Sequence, residues 1–275
     1  AAQRVMRRIA ARDNAHYKAL LKLSQSSRER RKSGRALLDG MHLIEAYEQS
    51  CGVPDEIVVS DGGAARPENA RYLDSRPAGS RISVLADALF DDLALVDTPS
   101  GIMAVVAQPQ PAGGCDHAAD AVLLDGVQDP GNLGSILRSA AAAGFRQILL
   151  SADCAQAWSP KSLRAAMGAH FQLDIHENSD LSRFLAAYRG QSAATLPAAS
   201  SSLYSATLGR PLAWVFGSEG LGVRPQVLAQ TSRHLRIPMS AASESLNVAA
   251  AAAVCLFETL RQRQAAELSA LPGVD

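Results

Sequence analysis

Short apolar runs without alternation punctuate the second half of the chain. They are VLLD after Ala121, QILL at residues 147–150, and the stretches 173–175, 192–196, 213–216 and 234–237. Unbroken Val, Leu and Ile runs of this length suit parallel strands buried on both faces. Helical and turn-forming stretches fill the intervals, so this half reads as a layered α/β unit. The first half alternates too. A helix capped by Asp13 or Asn14 runs through Leu23, followed by a strand at 36–38 and a helix opening near Met41. A strand at 57–59, a helix at 67–73, a strand at 82–85, a helix at 86–91 and a strand at 102–107 complete it. Between the halves, QPQPAGGCDHAAD is rich in Pro, Gly and small residues and has no periodicity, as a linker does. The expected division is a first domain at 1–108, a linker at 109–120 and a second domain at 121–265.

Residues 122–150, VLLDGVQDPGNLGSILRSAAAAGFRQILL, read as strand, loop, alanine-rich helix and strand. Asn132, Gly134 and Arg138 stand at the spacing N-x-G-x-x-x-R. This sets a carboxamide, a bare backbone position and a guanidinium at the start of a helix above a strand's carboxyl end. Open α/β sheets bind ligands at such ends, and helix N-termini favour anions. Asn132 is placed equally well to cap the helix. Arg138 lies among Ile136, Leu137 and the alanines 140–143, so a closely packed helix would oblige it to find an anionic partner.

Charge adds a partner. The 275 residues are formally neutral, yet the first 35 carry eleven Lys or Arg against two acidic residues, a net of +9. A basic arm on a neutral protein suggests a polyanion, most often nucleic acid; a solvated helical face is the plainer alternative. The run RERRKSGR offers Arg28, Arg30, Arg31, Lys32 and Arg35 as nucleic-acid contacts. A hydrophobic fraction of 47% and a charged fraction of 20% describe a soluble globular chain. Cys51, Cys115, Cys154 and Cys255 lack metal or disulfide spacing, and the histidines form no ligand set, so no metal is expected and a cytoplasmic setting fits. The N-terminus has arginines but no apolar core of a secretory signal, and the longest apolar stretch, residues 248–257, is too short to span a bilayer.

No G-x-G-x-x-G follows an early strand, which argues against a Rossmann-type cofactor site. GSEGLG, residues 217–222, orders its glycines differently and follows a late strand. It reads as a tight turn or as a backbone left bare for a ligand. Glu219 within it would cap the following helix or serve a site. Asn247, near Ser245, opens the last helix and is likewise a cap or a site residue.

Taken in order, residues 122–150, 211–223 (PLAWVFGSEGLGV) and 235–258 (LRIPMSAASESLNVAAAAAVCLFE) resemble the three motifs of the SpoU (TrmH-like) RNA 2′-O-ribose methyltransferases, of the SPOUT superfamily. The resemblance spans residues 121–263 and, more weakly, the first hundred. LLDGMHLIEAY, residues 37–47, matches the start of the family's substrate-binding domain, with Asp39 where Glu is commoner. The resemblance implies a trefoil-knotted α/β methyltransferase domain behind a smaller N-terminal α/β RNA-binding domain. It implies S-adenosylmethionine held largely by backbone and apolar groups: Gly217, Ile237 and Leu246, with Thr195, Leu196, Phe216, Met239 and Ser245 as neighbours. Arg138, Asn132, Glu219, Ser245 and Asn247 are implied in catalysis, Arg138 at the ribose 2′-hydroxyl and its adjacent phosphate, as a base or, better suited to a guanidinium, as an electrostatic clamp. Lys161 and Arg164, in SPKSLRAAMGAHF, match a helix facing RNA, whereas Ala166 replaces a more usual Ser. A homodimer through the last helix, residues 244–263, is implied as well.

The expected function is thus 2′-O-ribose methylation of structured RNA, preferably 23S-type ribosomal RNA, with transfer RNA as the alternative substrate. Two other classes compete. A non-catalytic RNA-binding protein on a SPOUT scaffold would bind RNA without cofactor. A small-molecule nucleotide enzyme would bind cofactor without RNA.

Overall fold

The computed structural model describes residues 5–94, 99–240 and 245–269. Contacts divide the chain into two units, Ala1–Pro109 with Trp158–Phe171, and Gln110–Ala157 with Gln172–Asp275.

The first unit contains β1 (Val5–Ile9), α1 (Ala15–Gln25), α2 (Ser27–Ser33), β2 (Arg35–Asp39) and α3 (Met41–Cys51). It continues with β3 (Glu56–Ser60), α4 (Asp61–Ala64), α5 (Pro67–Asp74), β4 (Arg81–Leu85), α6 (Asp87–Ala94) and β5 (Ile102–Ala107). The sheet order is β1-β4-β3-β5-β2, with β1, β4 and β3 parallel and β5 antiparallel to both neighbours. Tyr17, Leu20, Leu37, Val58, Leu85, Phe90 and Met103 pack one face. Three elements escape the sequence reading, the four-residue α4 among them. β1 is an edge strand whose Met6, Arg7 and Arg8 are exposed while Ile9 is buried, so its pattern lacks the apolar run of a central strand. α2 lies inside the basic run, capped by Ser26 at its start and by Gly34, in the left-handed region at φ +63°, at its end.

The second unit opens with β6 (Ala121–Asp125), α7 (Pro130–Ala142) and β7 (Gln147–Leu150). The chain then contributes α8 (Pro160–Ala166) to the first unit and returns through β8 (Asp174–His176), α9 (Leu181–Ala187) and β9 (Gln191–Thr195). β10 (Leu212–Gly217), α10 (Pro225–Leu228), β11 (Arg233–Leu235) and α11 (Val248–Ser269) complete it. All six strands are parallel in the order β11-β9-β10-β6-β7-β8. β6, β7 and the first five residues of β10 are wholly buried, as their unalternating runs require.

Trp214, on β10, is fully buried, and its indole N–H donates to Thr259 Oγ1 on α11 at 3.0 Å. This bond ties the central strands to the last helix. Trp214→Ala leaves a cavity and an orphaned Thr259 contact. It is expected to cost about 3–5 kcal/mol in urea unfolding. A loss below ~1 kcal/mol would show that the helix packs independently of this residue.

Candidate functional site

The strand order fixes where a ligand fits. From β6 the chain proceeds outward to β7 and β8, then crosses to build β9, β10 and β11 on the other side. The order reverses between β6 and β10, and open α/β sheets leave a crevice beyond the carboxyl ends of the strands at that switch. Gly217 and Asp125 are register partners there, each the last residue of its strand. A cavity of about 400 Å³ lies in this region, walled by Thr195, Leu196, Phe216, Gly217, Ile237 and Met239. Glu219, Ser245, Leu246 and Asn247 add to its lining. All eight residues named from sequence as cofactor contacts therefore lie around one space. Pro197, Ser218, Gly222, Val223, Val248 and Ala251 also line it, and the sequence reading names none of them as a contact.

The wall at Gly217 is a bare backbone. Ser218 N–H donates to Gly222 O at 3.1 Å and Gly222 N–H to Ser218 O at 3.0 Å, which closes the turn on itself. A Cβ on Gly217 would stand 2.0 Å from the Gly222 carbonyl carbon, so only glycine fits. A largely apolar wall with a few polar groups and close backbone suits a nucleoside-bearing ligand. The residues present thus fit S-adenosylmethionine, with no Gly-rich dinucleotide loop required.

Three distant segments meet on one hydrogen-bonded chain. Asn132 Nδ2 donates to Glu219 Oε1 at 2.8 Å, and Asn247 Nδ2 donates to Asn132 Oδ1 at 2.9 Å. Asn132 is not the cap of α7, because Asp129 takes that position and accepts from Asn132 N–H at 2.8 Å. Its carboxamide is thereby free for the site. Glu219 does not cap α10, which starts at Pro225 with Arg224 at its cap; it faces the amino end of α7 instead. Asn247 does both things at once. Its Oδ1 accepts from Ala249 and Ala250 N–H, opening α11, while its Nδ2 reaches Asn132. Ser245 lines the same cavity; residues 241–244, including Glu244 at the expected start of the last helix, lie outside the described residues.

Partial burial pushes the Glu219 carboxyl up. Hydrogen bonds from the Asn132 side chain and from the backbones of Glu219, Gln128 and Asp129 outweigh it and hold the group below the usual glutamate range. A lowered carboxyl keeps its interactions above the usual range and loses them as pH falls through its own pKa. Asn132→Ala removes the largest of the lowering contacts, so the titration of Glu219 moves to higher pH. Carbon-13 NMR of the labelled carboxylate reads this directly, and an unmoved midpoint would release Asn132 from the role.

Arg138 overturns one expectation. It sits on the exposed side of α7 beside Ser135, while Leu133, Ile136, Leu137 and Ala140 face the core. Helix periodicity puts it on the opposite face from its apolar neighbours. No carboxylate among the described residues pairs with it, and it does not line the cavity. Its charge is presented to solvent.

The basic residues divide similarly. Arg28, Arg31 and Lys32 are exposed on α2, and Lys161 is exposed on α8. Arg30 is buried at 4% exposure and donates to the carbonyls of Leu23 and Ser24, closing the end of α1. Contrary to the expectation from the basic run, Arg30 offers RNA no contact, since burial takes its charge from the surface. Arg35 pairs with Asp55 at 3.1 Å, and Arg164 with Asp39 at 2.6 Å, where Ser100 also donates to Asp39. Those two guanidiniums already have partners. Trp158 and Ala166 are buried, in keeping with structural roles. Among the described residues no His, Cys, Asp or Glu group could hold a metal ion, and no helix is long and apolar enough to cross a membrane.

Comparison with known proteins places these features. The model of the SpoU rRNA Methylase family matches residues 120–257, and that of the MRM3-like substrate binding domain matches residues 14–104. An uncharacterized tRNA/rRNA methyltransferase of Synechocystis is 34% identical over 94% of this chain and 95% of its own length. The Bacillus subtilis 23S rRNA (guanosine(2553)-2′-O)-methyltransferase RlmP is 32% identical over 92% of this chain and 98% of its own. A crystal structure of an RNA 2′-O ribose methyltransferase, 29% identical, matches at TM-score 0.78 over 94% of this chain and 99% of that one.

Proposed function

Since the chain belongs to the SpoU rRNA methylase family, we propose that it moves a methyl group from S-adenosylmethionine to a ribose 2′-oxygen of ribosomal RNA. One observation carries the reading. Asn132, Glu219 and Asn247, from three separate segments, join at the edge of a cavity suited to the donor. The donor supplies an electrophilic methyl on a positively charged sulfur. Everything else falls to the chain. Gly217, Ile237 and Leu246 hold the donor through backbone and apolar contacts, assisted by Thr195, Leu196, Phe216, Met239 and Ser245. The Glu219–Asn132–Asn247 chain fixes the turn and the start of α11 relative to α7. Arg138, unpaired by any described carboxylate, meets the RNA. It steadies the phosphate and the alkoxide that develops on the ribose, and the proton passes to phosphate or solvent. A guanidinium stays protonated near neutral pH, so a clamp suits it better than a base.

The same reading makes the second unit a knotted SPOUT domain and the first unit the RNA-binding one, through Arg28, Arg31, Lys32 and Lys161. It makes the protein a cytoplasmic homodimer. Phe257 on α11, at 46% exposure, supports pairing through that helix. Sedimentation of the purified protein tests the pairing.

The reaction is tested with labelled S-adenosylmethionine and RNA from cells lacking this protein. Ribosomal and transfer RNA are assayed separately, and the product is digested to locate the methyl. Label on a ribose of ribosomal RNA is the expected result. Label on transfer RNA would move the substrate, label on a base would overturn the 2′-O chemistry, and cofactor-free RNA binding would make the chain a binding protein.

A further inference from the structure

We propose that Arg224 is a positioning residue for the cofactor turn and that it acts through Asp125, an inference that rests on the function proposed above. Asp125 ends β6 and its side chain is fully buried. Its carboxylate takes three donors from one residue. Arg224 N–H reaches Oδ2 at 2.7 Å, Arg224 Nε reaches Oδ1 at 2.7 Å, and Nη2 reaches the same oxygen at 2.6 Å. A fork of two guanidinium donors plus a backbone amide admits one orientation, which a single point contact would not enforce. The remaining Nη1 meets Asp153 at 3.3 Å.

What this orientation controls is the turn at residues 217–222. One end of the turn is held by β10, where Gly217 is the register partner of Asp125. The other end leads through Val223, a cavity wall, straight into Arg224. Asp125 therefore grips both ends, by sheet pairing at one and by Arg224 at the other. Between them lie the mutual Ser218–Gly222 bonds and Glu219, which accepts from Asn132. Arg224 touches neither the cavity nor the Asn132 contact; it sets where the turn can stand.

Removing Arg224 alone would strand a buried carboxylate and confuse positioning with folding. The informative variant is Arg224→Met with Asp125→Asn, which removes both charges and keeps a side-chain oxygen to accept from the backbone amide at position 224. Four quantities are read on the whole protein: urea unfolding, amide exchange at Ser218 and Gly222 without ligand, affinity for S-adenosylhomocysteine and affinity for RNA. The double variant is expected to unfold near the parent's midpoint, to exchange those amides about tenfold faster, and to bind S-adenosylhomocysteine about tenfold more weakly. Affinity for RNA is expected to stay within about twofold. Arg224→Lys, a point charge without the fork, is expected to fall between. A folded double variant with parental exchange and affinity overturns the proposal. A parent that fails to bind S-adenosylhomocysteine overturns the function instead, and the exchange rates then still decide whether Arg224 positions the turn.

Discussion

Gly217→Ala is expected to weaken S-adenosylmethionine binding roughly a hundredfold, about 2.8 kcal/mol. The added methyl would come within 2.0 Å of the Gly222 carbonyl carbon and 2.1 Å of Val223 N. Those atoms are backbone of the same turn and cannot rotate aside, so the turn must open. Opening breaks the Ser218–Gly222 pair and carries Glu219 off Asn132. The sheet behind the turn is already formed by β10 and β6, so the cost to stability is expected to be only about 1–3 kcal/mol. Gly220→Ala, three residues on, is the control, because nothing lies within 4 Å of its added carbon. Titration calorimetry of both variants reads the difference. Equal affinities would remove the turn from the cofactor site.

Arg138→Ala is expected to lower kcat by about 10²–10³, the usual cost of removing one preorganised group from a developing negative charge. Its exposure makes the experiment clean. With no carboxylate among the described residues to lose and no core contact to vacate, unfolding is expected to shift by less than about 0.5 kcal/mol. S-adenosylmethionine affinity is expected to hold, since Arg138 does not line the cavity. Arg138→Lys is expected to recover only part of the rate, because an ammonium cannot present two parallel donors to a phosphate. Single-turnover methylation of RNA measures all three enzymes. Near-native turnover by the lysine variant would replace the two-point clamp with a plain charge.

Central elements were legible in the chain and marginal ones were not, for one physical reason. β6, β7 and β10 bury both faces, so their residues must be apolar throughout. β1 pairs on one side only, and an edge strand can carry Arg7 and Arg8. The site divides along the same line. Residues that touch the cavity through special backbone, such as Gly217, leave a mark in sequence. Arg224 and Asp125 stand 99 positions apart with no spacing to betray them. Caps misled as well: Asn132 and Asn247 both suit a helix start, and only the geometry separates them, because Asp129 caps α7 whereas Asn247 caps α11 itself. A basic run gave its charge but not its use, since Arg30 turns inward to close α1.

The two roles of the Asn247 carboxamide, cap and bridge, decide when the protein becomes competent. The residue that starts α11 also completes the contact to Asn132, whose other partner, Glu219, follows β10. A growing chain can lay down β6, α7 and β10 and still lack the finished site. Competence therefore arrives only once α11 is in place. A chain without that helix would be a scaffold with its polar chain open at Asn132.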